Sequence, residues 1–241
     1  MTHNIYNIDC LEWMKTQPDN SIDCIITSPP YNKLGLREGQ KTSTAVWGGA
    51  NIEYNTYHDE MPEADYQQWQ INVINECIRL LKPTGSLFYQ HKIRNWKRVG
   101  YHPYNWIGKS SATFYQEIIW HRKSTTAFDE HYFYTTTERV YWLCKGKPSV
   151  YKDQVEAKYK NDVWEIPPAR NNDHPAPFPQ QLVKNCLLMT TKENDVVYDP
   201  FMGSGTTIKV AEVFGRNSIE TEIDKHYVDS FETTTYTELF E

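Results

Sequence analysis

The stretch DVVYDPFMGSGTT, residues 195–207, decides the fold. Its apolar first half is typical of a buried parallel strand, and apolar residues at helical spacing follow the turn. Glycines in such a turn let a ligand approach the backbone closely, and the first turn of the next helix presents unpaired N–H groups to an anion. The stretch therefore predicts a strand, a ligand-binding turn and a helix, in that order.

Similar strands and helices alternate along the rest of the chain. Strands are predicted over residues 4–8, 22–27, 87–90, 114–120, 139–144 and 219–223, and helices over residues 11–15, 62–81, 179–187 and 208–214. The segment Lys82-Pro83-Thr84-Gly85 is predicted to end the long helix. Strands separated by helices predict an α/β fold with a doubly wound, mostly parallel sheet. Without a linker or an internal repeat, residues 1–241 are expected to form a single domain.

A second unusual turn, TSPPYN at residues 27–32, directly follows the predicted strand 22–27. In a doubly wound sheet, ligands bind beyond the carboxyl ends of the strands, so both turns are expected at one crevice. Two prolines stiffen the segment, so the Ser28 hydroxyl and the Pro29 carbonyl offer two hydrogen-bond acceptors to a planar amino group. The Tyr31 ring offers a surface on which the base carrying that amine could stack. The alternative is a plain strand terminator with a surface tyrosine.

The ligand at the glycine turn is expected to be a nucleoside without phosphates. Glu222 follows Asp199 at about the spacing of an acid that binds ribose hydroxyls. The third glycine of the dinucleotide fingerprint is missing, and no lysine precedes Thr206 as in a phosphate-binding loop. These absences argue against a nicotinamide-dependent oxidoreductase.

Composition excludes several protein classes. The 241 residues are 39% hydrophobic, and no apolar run is long enough for a membrane span. Five scattered cysteines without a Cys-x-x-Cys pair argue against a disulfide framework and a metal site. The first residues do not resemble a signal peptide, so a cytoplasmic protein without membrane contact is expected.

Basic residues are concentrated in one part of an acidic chain. The net charge is −6, which argues against a protein that coats nucleic acid, but residues 91–123 hold seven cations and one acid, Glu117. This concentration predicts either a local DNA-contacting surface or a solvated face. The candidate DNA-binding residues are Lys92, Arg94, Lys97, Arg98, Arg122 and Lys123.

Together, TSPPYN and DPFMGSGTT resemble the β class of S-adenosylmethionine-dependent DNA amino-methyltransferases, over almost the whole chain. The resemblance implies a seven-stranded, Rossmann-like sheet with a circularly permuted motif order. It implies that the catalytic motif is Ser28, Pro29, Pro30 and Tyr31. It also implies a set of residues around the cofactor, namely Asp9, Cys10, His174, Phe178, Asp199, Phe201, Gly203, Gly205, Thr206 and Glu222.

The chain departs from the family pattern at two places. Members commonly have glycine two residues before the ribose-binding acid, whereas Glu220 stands there in this chain. The segment in which this class usually carries its target-recognition region is only residues 145–171. Target recognition is therefore expected to be short, or shared with residues 32–61, which are expected to form a mobile loop.

The resemblance implies site-specific methylation of an exocyclic amine on a flipped base in double-stranded DNA. Serine at the first position of the catalytic motif favours cytosine N4, with adenine N6 as the alternative. Methylation of RNA bases and a non-catalytic DNA-binding module remain further alternatives. A cognate restriction endonuclease and a homodimer are the partners that the resemblance suggests.

Overall fold

The computed structural model describes residues 1–32, 46–47, 50–51, 61–96, 98–123, 130–169 and 178–232. Its helices are α1 (Cys10–Thr16), α2 (Glu63–Leu80), α3 (Tyr104–Ile107), α4 (Gln180–Thr190), α5 (Thr206–Val213) and α6 (Lys225–Glu232). Its strands are β1 (His3–Asn7), β2 (Ile22–Thr27), β3 (Val46–Trp47), β4 (Ala50–Asn51), β5 (Leu81–His91), β6 (Arg94–Trp96), β7 (Val99–Tyr101), β8 (Thr113–His121), β9 (Thr137–Cys144), β10 (Val163–Glu165), β11 (Val196–Asp199) and β12 (Asn217–Glu222).

The central sheet has the strand order β1-β12-β11-β2-β5-β9-β8-β10. β9 runs antiparallel to both of its neighbours, and all the other pairs in this sheet are parallel. These pairings confirm the mostly parallel sheet. The permuted order is also confirmed, because β11 from the second half of the chain pairs with β2 from the first half. The predicted number of seven strands is wrong, since β10 adds an eighth.

Both faces of the sheet are covered, as expected for a doubly wound fold. Along β2, Ile25 belongs to one apolar cluster, which includes residues of α1, α2 and α3. Cys24 and Ile26 belong to a second cluster, which includes residues of α4 and α5. The alternation of side chains along a strand therefore sends neighbouring residues into two different cores. Within the described residues, no helix has the length and apolar character needed to cross a membrane.

The end of α2 differs from the prediction. The helix ends at Leu80, and Lys82-Pro83-Thr84-Gly85 belongs to β5 rather than to a helix-terminating turn. The pairing of β5 with β2 shifts register at this segment, so the extra residues are accommodated as an irregularity in the strand. A Cβ atom at Gly85 would lie 2.9 Å from the Asp23 carbonyl oxygen, so glycine permits this close approach of the strands.

The weakly patterned segment after β9 folds onto the sheet. It contains two short 3-10 helices, Lys152–Gln154 and Ala157–Tyr159, followed by β10. Trp164 is buried and donates its indole N–H to the Tyr159 and Asn161 carbonyl oxygens. Sequence periodicity did not indicate β10, because a strand of three residues is too short to show a pattern.

Candidate active site

A cleft of about 330 Å³ lies at the edge of the sheet where β2, β5, β11 and β12 end. The turns after β2 and β11 both line it, as predicted from their positions after parallel strands. Its volume is within the usual range of small-molecule sites. One arm of the cleft is formed by Glu222 and the glycine turn, and the other by the Ser28–Tyr31 segment.

The Glu222 carboxylate is held at the end of β12 by two backbone groups. Its Oε2 atom accepts a hydrogen bond from the Gly203 amide at 2.9 Å, and its Oε1 atom accepts one from the Asp224 amide at 2.9 Å. Burial raises the pKa of this carboxyl. Each carboxylate oxygen can accept more than one hydrogen bond, so this group can also receive ligand hydroxyls.

Asp199 ties the glycine turn to β2. Its Oδ1 atom accepts hydrogen bonds from the Thr27 hydroxyl at 2.8 Å and the Phe201 amide at 3.0 Å, while Oδ2 accepts one from the Thr207 hydroxyl at 2.8 Å. Burial raises the pKa of Asp199 to about 7. Asp199 therefore shapes the turn beside the cleft in addition to lining it.

Most of the other predicted cofactor residues also lie at the cleft. The cleft-lining members are Asp9, Cys10, Phe178, Phe201, Gly203 and Thr206. Asp9 caps α1, because its Oδ1 atom accepts hydrogen bonds from the Leu11 and Glu12 amides. Burial keeps the Cys10 thiol protonated by raising its pKa. His174 lies outside the described residues.

Gly205 lies between the cleft-lining residues Ser204 and Thr206, and its predicted contact with the cofactor stays a prediction. It caps α5 with a positive φ of 70°, which favours glycine. A Cβ atom there would lie 2.2 Å from Cε2 and 2.4 Å from Cδ2 of Phe231. Glycine is therefore required at this position for the packing of α6 against the turn.

Glu220, which stands where the family commonly has glycine, is fully buried in β12. Among the described residues, neither of its carboxyl oxygens has a hydrogen-bond partner. Burial, reinforced by the charge of nearby Asp199, raises the pKa of Glu220. The side chain is accordingly a neutral acid in the interior, and Glu220 does not line the cleft.

The second arm of the cleft contains a hydrogen-bonded group that sequence reasoning only partly anticipated. The Ser28 hydroxyl donates to Gln90 Oε1 at 2.5 Å, and the Tyr31 hydroxyl donates to the same atom at 2.6 Å. The Gln90 side-chain amide donates to Glu138 Oε2, and Arg122 Nη1 donates to Glu138 Oε1 at 3.0 Å. Gln90 and Glu138 were not predicted as site residues.

The remaining residues of the motif have separate contacts. The Pro30 carbonyl oxygen accepts a hydrogen bond from the Tyr66 hydroxyl at 2.8 Å, whereas Pro29 lines the cleft. The Tyr31 ring lines the cleft and also packs against His91, with ring centroids 4.5 Å apart. Burial lowers the pKa of His91 well below its usual value, so this imidazole is neutral.

The basic residues that the structure describes lie in different environments. Arg94 is only 4% exposed, and its guanidinium binds both carboxylate oxygens of Glu63, so its predicted contact with DNA is wrong. Arg122 lines the cleft and binds Glu138, and its predicted contact with DNA stays a prediction. Lys123 pairs with Glu165 at 3.1 Å and is 55% exposed. Arg98 is exposed, Lys92 is partly buried, and Lys97 lies outside the described residues.

The family model for DNA methylases of the N6/N4 type matches residues 22–233. The chain belongs to this family. The type II methyltransferase M.BglII of Bacillus subtilis is one of the curated relatives. It is 29% identical to this chain, and the match covers 94% of this chain and 67% of M.BglII. The chain spans 54% to 67% of the length of three such relatives.

Solved structures agree with the fold of this DNA methylase family member. PvuII DNA methyltransferase, described as cytosine-N4-specific, matches with a TM-score of 0.77 and 22% identity, over 99% of this chain and 89% of its own. M1.HpyAVI, solved with S-adenosylmethionine, matches with a TM-score of 0.63 and 20% identity, over 96% of this chain and 97% of its own. At these identities the comparisons establish the Rossmann-like methyltransferase fold.

Proposed function

We propose that this chain transfers a methyl group from S-adenosylmethionine to the exocyclic amine of a base in DNA. The observation that carries the proposal is that the Ser28–Tyr31 segment and Glu222 line the same cleft. A methyl donor and an acceptor amine must lie within reach of each other, and one cleft with two arms provides that proximity. Membership of the DNA methylase family and the names of the curated relatives support the substrate class.

The residues of the first arm fit a nucleoside-containing cofactor. Glu222 is positioned to accept hydrogen bonds from ribose hydroxyls, and its backbone partners prevent it from turning away. Asp9 and Cys10 form the edge beside β1, while Phe178 and Phe201 add apolar surface. When bound, S-adenosylmethionine supplies an electrophilic methyl group.

The Ser28–Tyr31 segment acts on the nucleophile. An exocyclic amine is a poor nucleophile because its lone pair is conjugated with the ring. Hydrogen bonds from the amine to Ser28 Oγ and the Pro29 carbonyl favour a more tetrahedral nitrogen, whose lone pair is then free to react. The nitrogen gains the methyl group as the S–CH3 bond of the donor breaks to leave a neutral thioether, and the amine loses one proton to water. No covalent intermediate with the protein is needed.

A base within duplex DNA must leave the stack to reach this cleft, at a cost of a few kcal/mol. Tyr31 lines the cleft, with His91 and the Lys92 ammonium packed against its ring. Stacking of the base on this ring would, by analogy with single-strand binders, contribute about 1 to 3 kcal/mol. Serine in the motif favours cytosine N4, and the cytosine-N4 specificity of the PvuII enzyme supports this choice. Adenine N6 is the alternative, because its amine has the same donor geometry.

A cognate restriction endonuclease fits the type II names of the relatives and is part of the proposal. Target recognition by residues 145–171 remains a prediction. The described part of that segment packs on the sheet, so its exposed side chains would have to make the DNA contacts. The loop 32–61 lies almost wholly outside the described residues. A homodimer and a cytoplasmic location stay predictions.

The proposal is tested by incubating the protein with labelled S-adenosylmethionine and either random-sequence duplex DNA or RNA. The products are digested to nucleosides and identified by mass spectrometry. We expect N4-methylcytosine from DNA and no labelled nucleoside from RNA. A product that is only N6-methyladenine would overturn the choice of base, and labelling of RNA alone would overturn the choice of polymer.

Charge reversal at the two exposed cations that remain candidates, Arg98 and Lys123, is expected to weaken DNA binding. Each lost phosphate contact should reduce the slope of log affinity against log salt by about 1, because fewer counterions are released on binding. The double variant Arg98→Glu/Lys123→Glu is compared with Lys15→Glu, an exposed cation on α1. A salt slope equal to that of the wild type would assign both residues to a solvated face.

A further inference from the structure

A directed series of hydrogen bonds leads from Arg122 through Glu138 and Gln90 to Ser28. We propose that Gln90 and Glu138 are positioning residues that make Ser28 Oγ a hydrogen-bond acceptor for the target amine. The inference rests on the proposed function, because it concerns how the same cleft receives the base. Neither residue belongs to the Ser28–Tyr31 motif.

The donor-to-acceptor direction of these hydrogen bonds is set by the charged pair, Arg122 and Glu138. A guanidinium can only donate hydrogen bonds, and a carboxylate can only accept them. Arg122 Nη1 lies 3.0 Å from Glu138 Oε1, so Glu138 accepts from Arg122 on one oxygen. Its second oxygen faces the Gln90 side chain. The Tyr31 hydroxyl is a more distant donor to that oxygen, at 3.4 Å. Of the two ends of the Gln90 amide, only the NH2 group can donate to it, and this contact sets the orientation of the amide.

The orientation of Gln90 in turn determines the hydroxyl groups. With its NH2 group toward Glu138, its Oε1 atom lies 2.5 Å from Ser28 Oγ and 2.6 Å from the Tyr31 hydroxyl. A carbonyl oxygen has two lone pairs, and each hydroxyl has one hydrogen, so both hydroxyls donate to Gln90. The hydrogen of Ser28 therefore points away from the target amine. The Tyr31 hydroxyl lies 3.1 Å from Ser28 Oγ, and a lone pair of Ser28 Oγ remains for the amine.

Burial keeps the series in this arrangement. Gln90 is 2% exposed and Glu138 is 7% exposed, so water cannot readily replace a lost partner. Buried polar groups without partners cost about 1 to 3 kcal/mol each. If the amide of Gln90 turned around, its NH2 group would face Ser28, and the serine hydrogen would then face the amine. Two donors would oppose each other where the reaction needs an acceptor.

The test uses substitutions that keep the shape of the side chains and change only their hydrogen-bonding character. Glu138→Gln permits the Gln90 amide to turn around. Gln90→Glu places two carboxylates against each other, and their repulsion moves the side chain at position 90 away from Ser28. Each single variant is expected to lower kcat at least about tenfold, a typical effect of losing an orienting partner. Both side chains line the cleft, but each is engaged by protein partners, so the Kd for S-adenosylmethionine should change less than kcat.

The double variant Gln90→Glu/Glu138→Gln restores the direction of the series. The new amide at position 138 can accept from Arg122 and donate to the new carboxylate at position 90, which still accepts from Ser28 and Tyr31. We therefore expect the double variant to be faster than either single variant. A double variant no faster than the slower single variant would overturn the proposal, as would wild-type kcat in both single variants.

A second set of variants, a double-mutant cycle with Ser28→Ala, tests whether the loss in kcat is purely structural. In a Ser28→Ala background, Glu138→Gln should cause no further loss in kcat, because the positioning residue acts through the serine hydroxyl. An equal loss in both backgrounds would overturn the inference. Thermal unfolding and binding of S-adenosylmethionine are measured for every variant. A wild-type protein that binds the cofactor and methylates no DNA would instead refute the proposed function.

Discussion

Replacement of Ser28 by alanine is expected to lower kcat about 100-fold or more, the usual cost of removing one preorganised hydrogen-bonding group from an active site. Ser28→Ala removes the acceptor at the transferring amine, and it leaves Glu222 and the glycine turn intact. The Kd for S-adenosylmethionine should therefore stay near the wild-type value. Single-turnover methylation of DNA measures the first quantity, and calorimetry measures the second.

Ser111→Ala is the matched control, because Ser111 is exposed and does not line the cleft. Its kcat and its cofactor affinity should both equal those of the wild type. Wild-type turnover in Ser28→Ala would show that the turn after β2 is a structural strand terminator. Loss of cofactor binding in Ser28→Ala would place the serine in the other arm of the cleft.

The second large effect is expected at Glu222. Hydrogen bonds to a charged group contribute about 1.5 to 3 kcal/mol each, so Glu222→Ala should raise the Kd for S-adenosylmethionine roughly 10- to 100-fold. Two backbone amides, of Gly203 and Asp224, would also lose their acceptor, and Glu222→Gln retains part of that support. Calorimetric titration with the cofactor gives the affinity of each variant, and thermal unfolding reports its stability.

Glu12→Ala is the control for Glu222, since Glu12 is an exposed acid on α1 that does not line the cleft. Unchanged cofactor affinity in Glu222→Ala would contradict the ribose-binding role. Gly205 is not a suitable probe of the same arm. A side chain there would clash with Phe231 and strain a backbone with positive φ, so any loss of binding would follow from loss of folding.

Local sequence was sufficient for the features that depend on near neighbours in the chain. The compact apolar run of residues 22–27, and the glycines and prolines that follow the two central strands, predicted strands that end in ligand-binding turns. These predictions succeed because a short apolar run and the backbone limits of proline and glycine act over a few residues. Parallel pairing then brings the carboxyl ends of β2 and β11 to one edge.

Local patterns were insufficient where a residue depends on a distant partner. Arg94 belongs to a basic stretch in sequence, but its burial against Glu63 and the Tyr66 ring follows from the packing of β6 on α2. Gly205 resembled a ligand-binding glycine, yet its need for glycine comes from Phe231 of α6. In both cases the environment of the residue, rather than its type, decided its role.

The family motifs, the mostly parallel sheet and the location of the cleft could therefore be predicted from the amino-acid sequence. The orientation of the Ser28 hydroxyl follows only from contacts between distant segments of the fold. Gln90 is 62 residues from Ser28 and 48 residues from Glu138, and no local pattern links the three. They meet because β2, β5 and β9 are neighbours in the sheet, and burial then makes each donor and acceptor depend on the next.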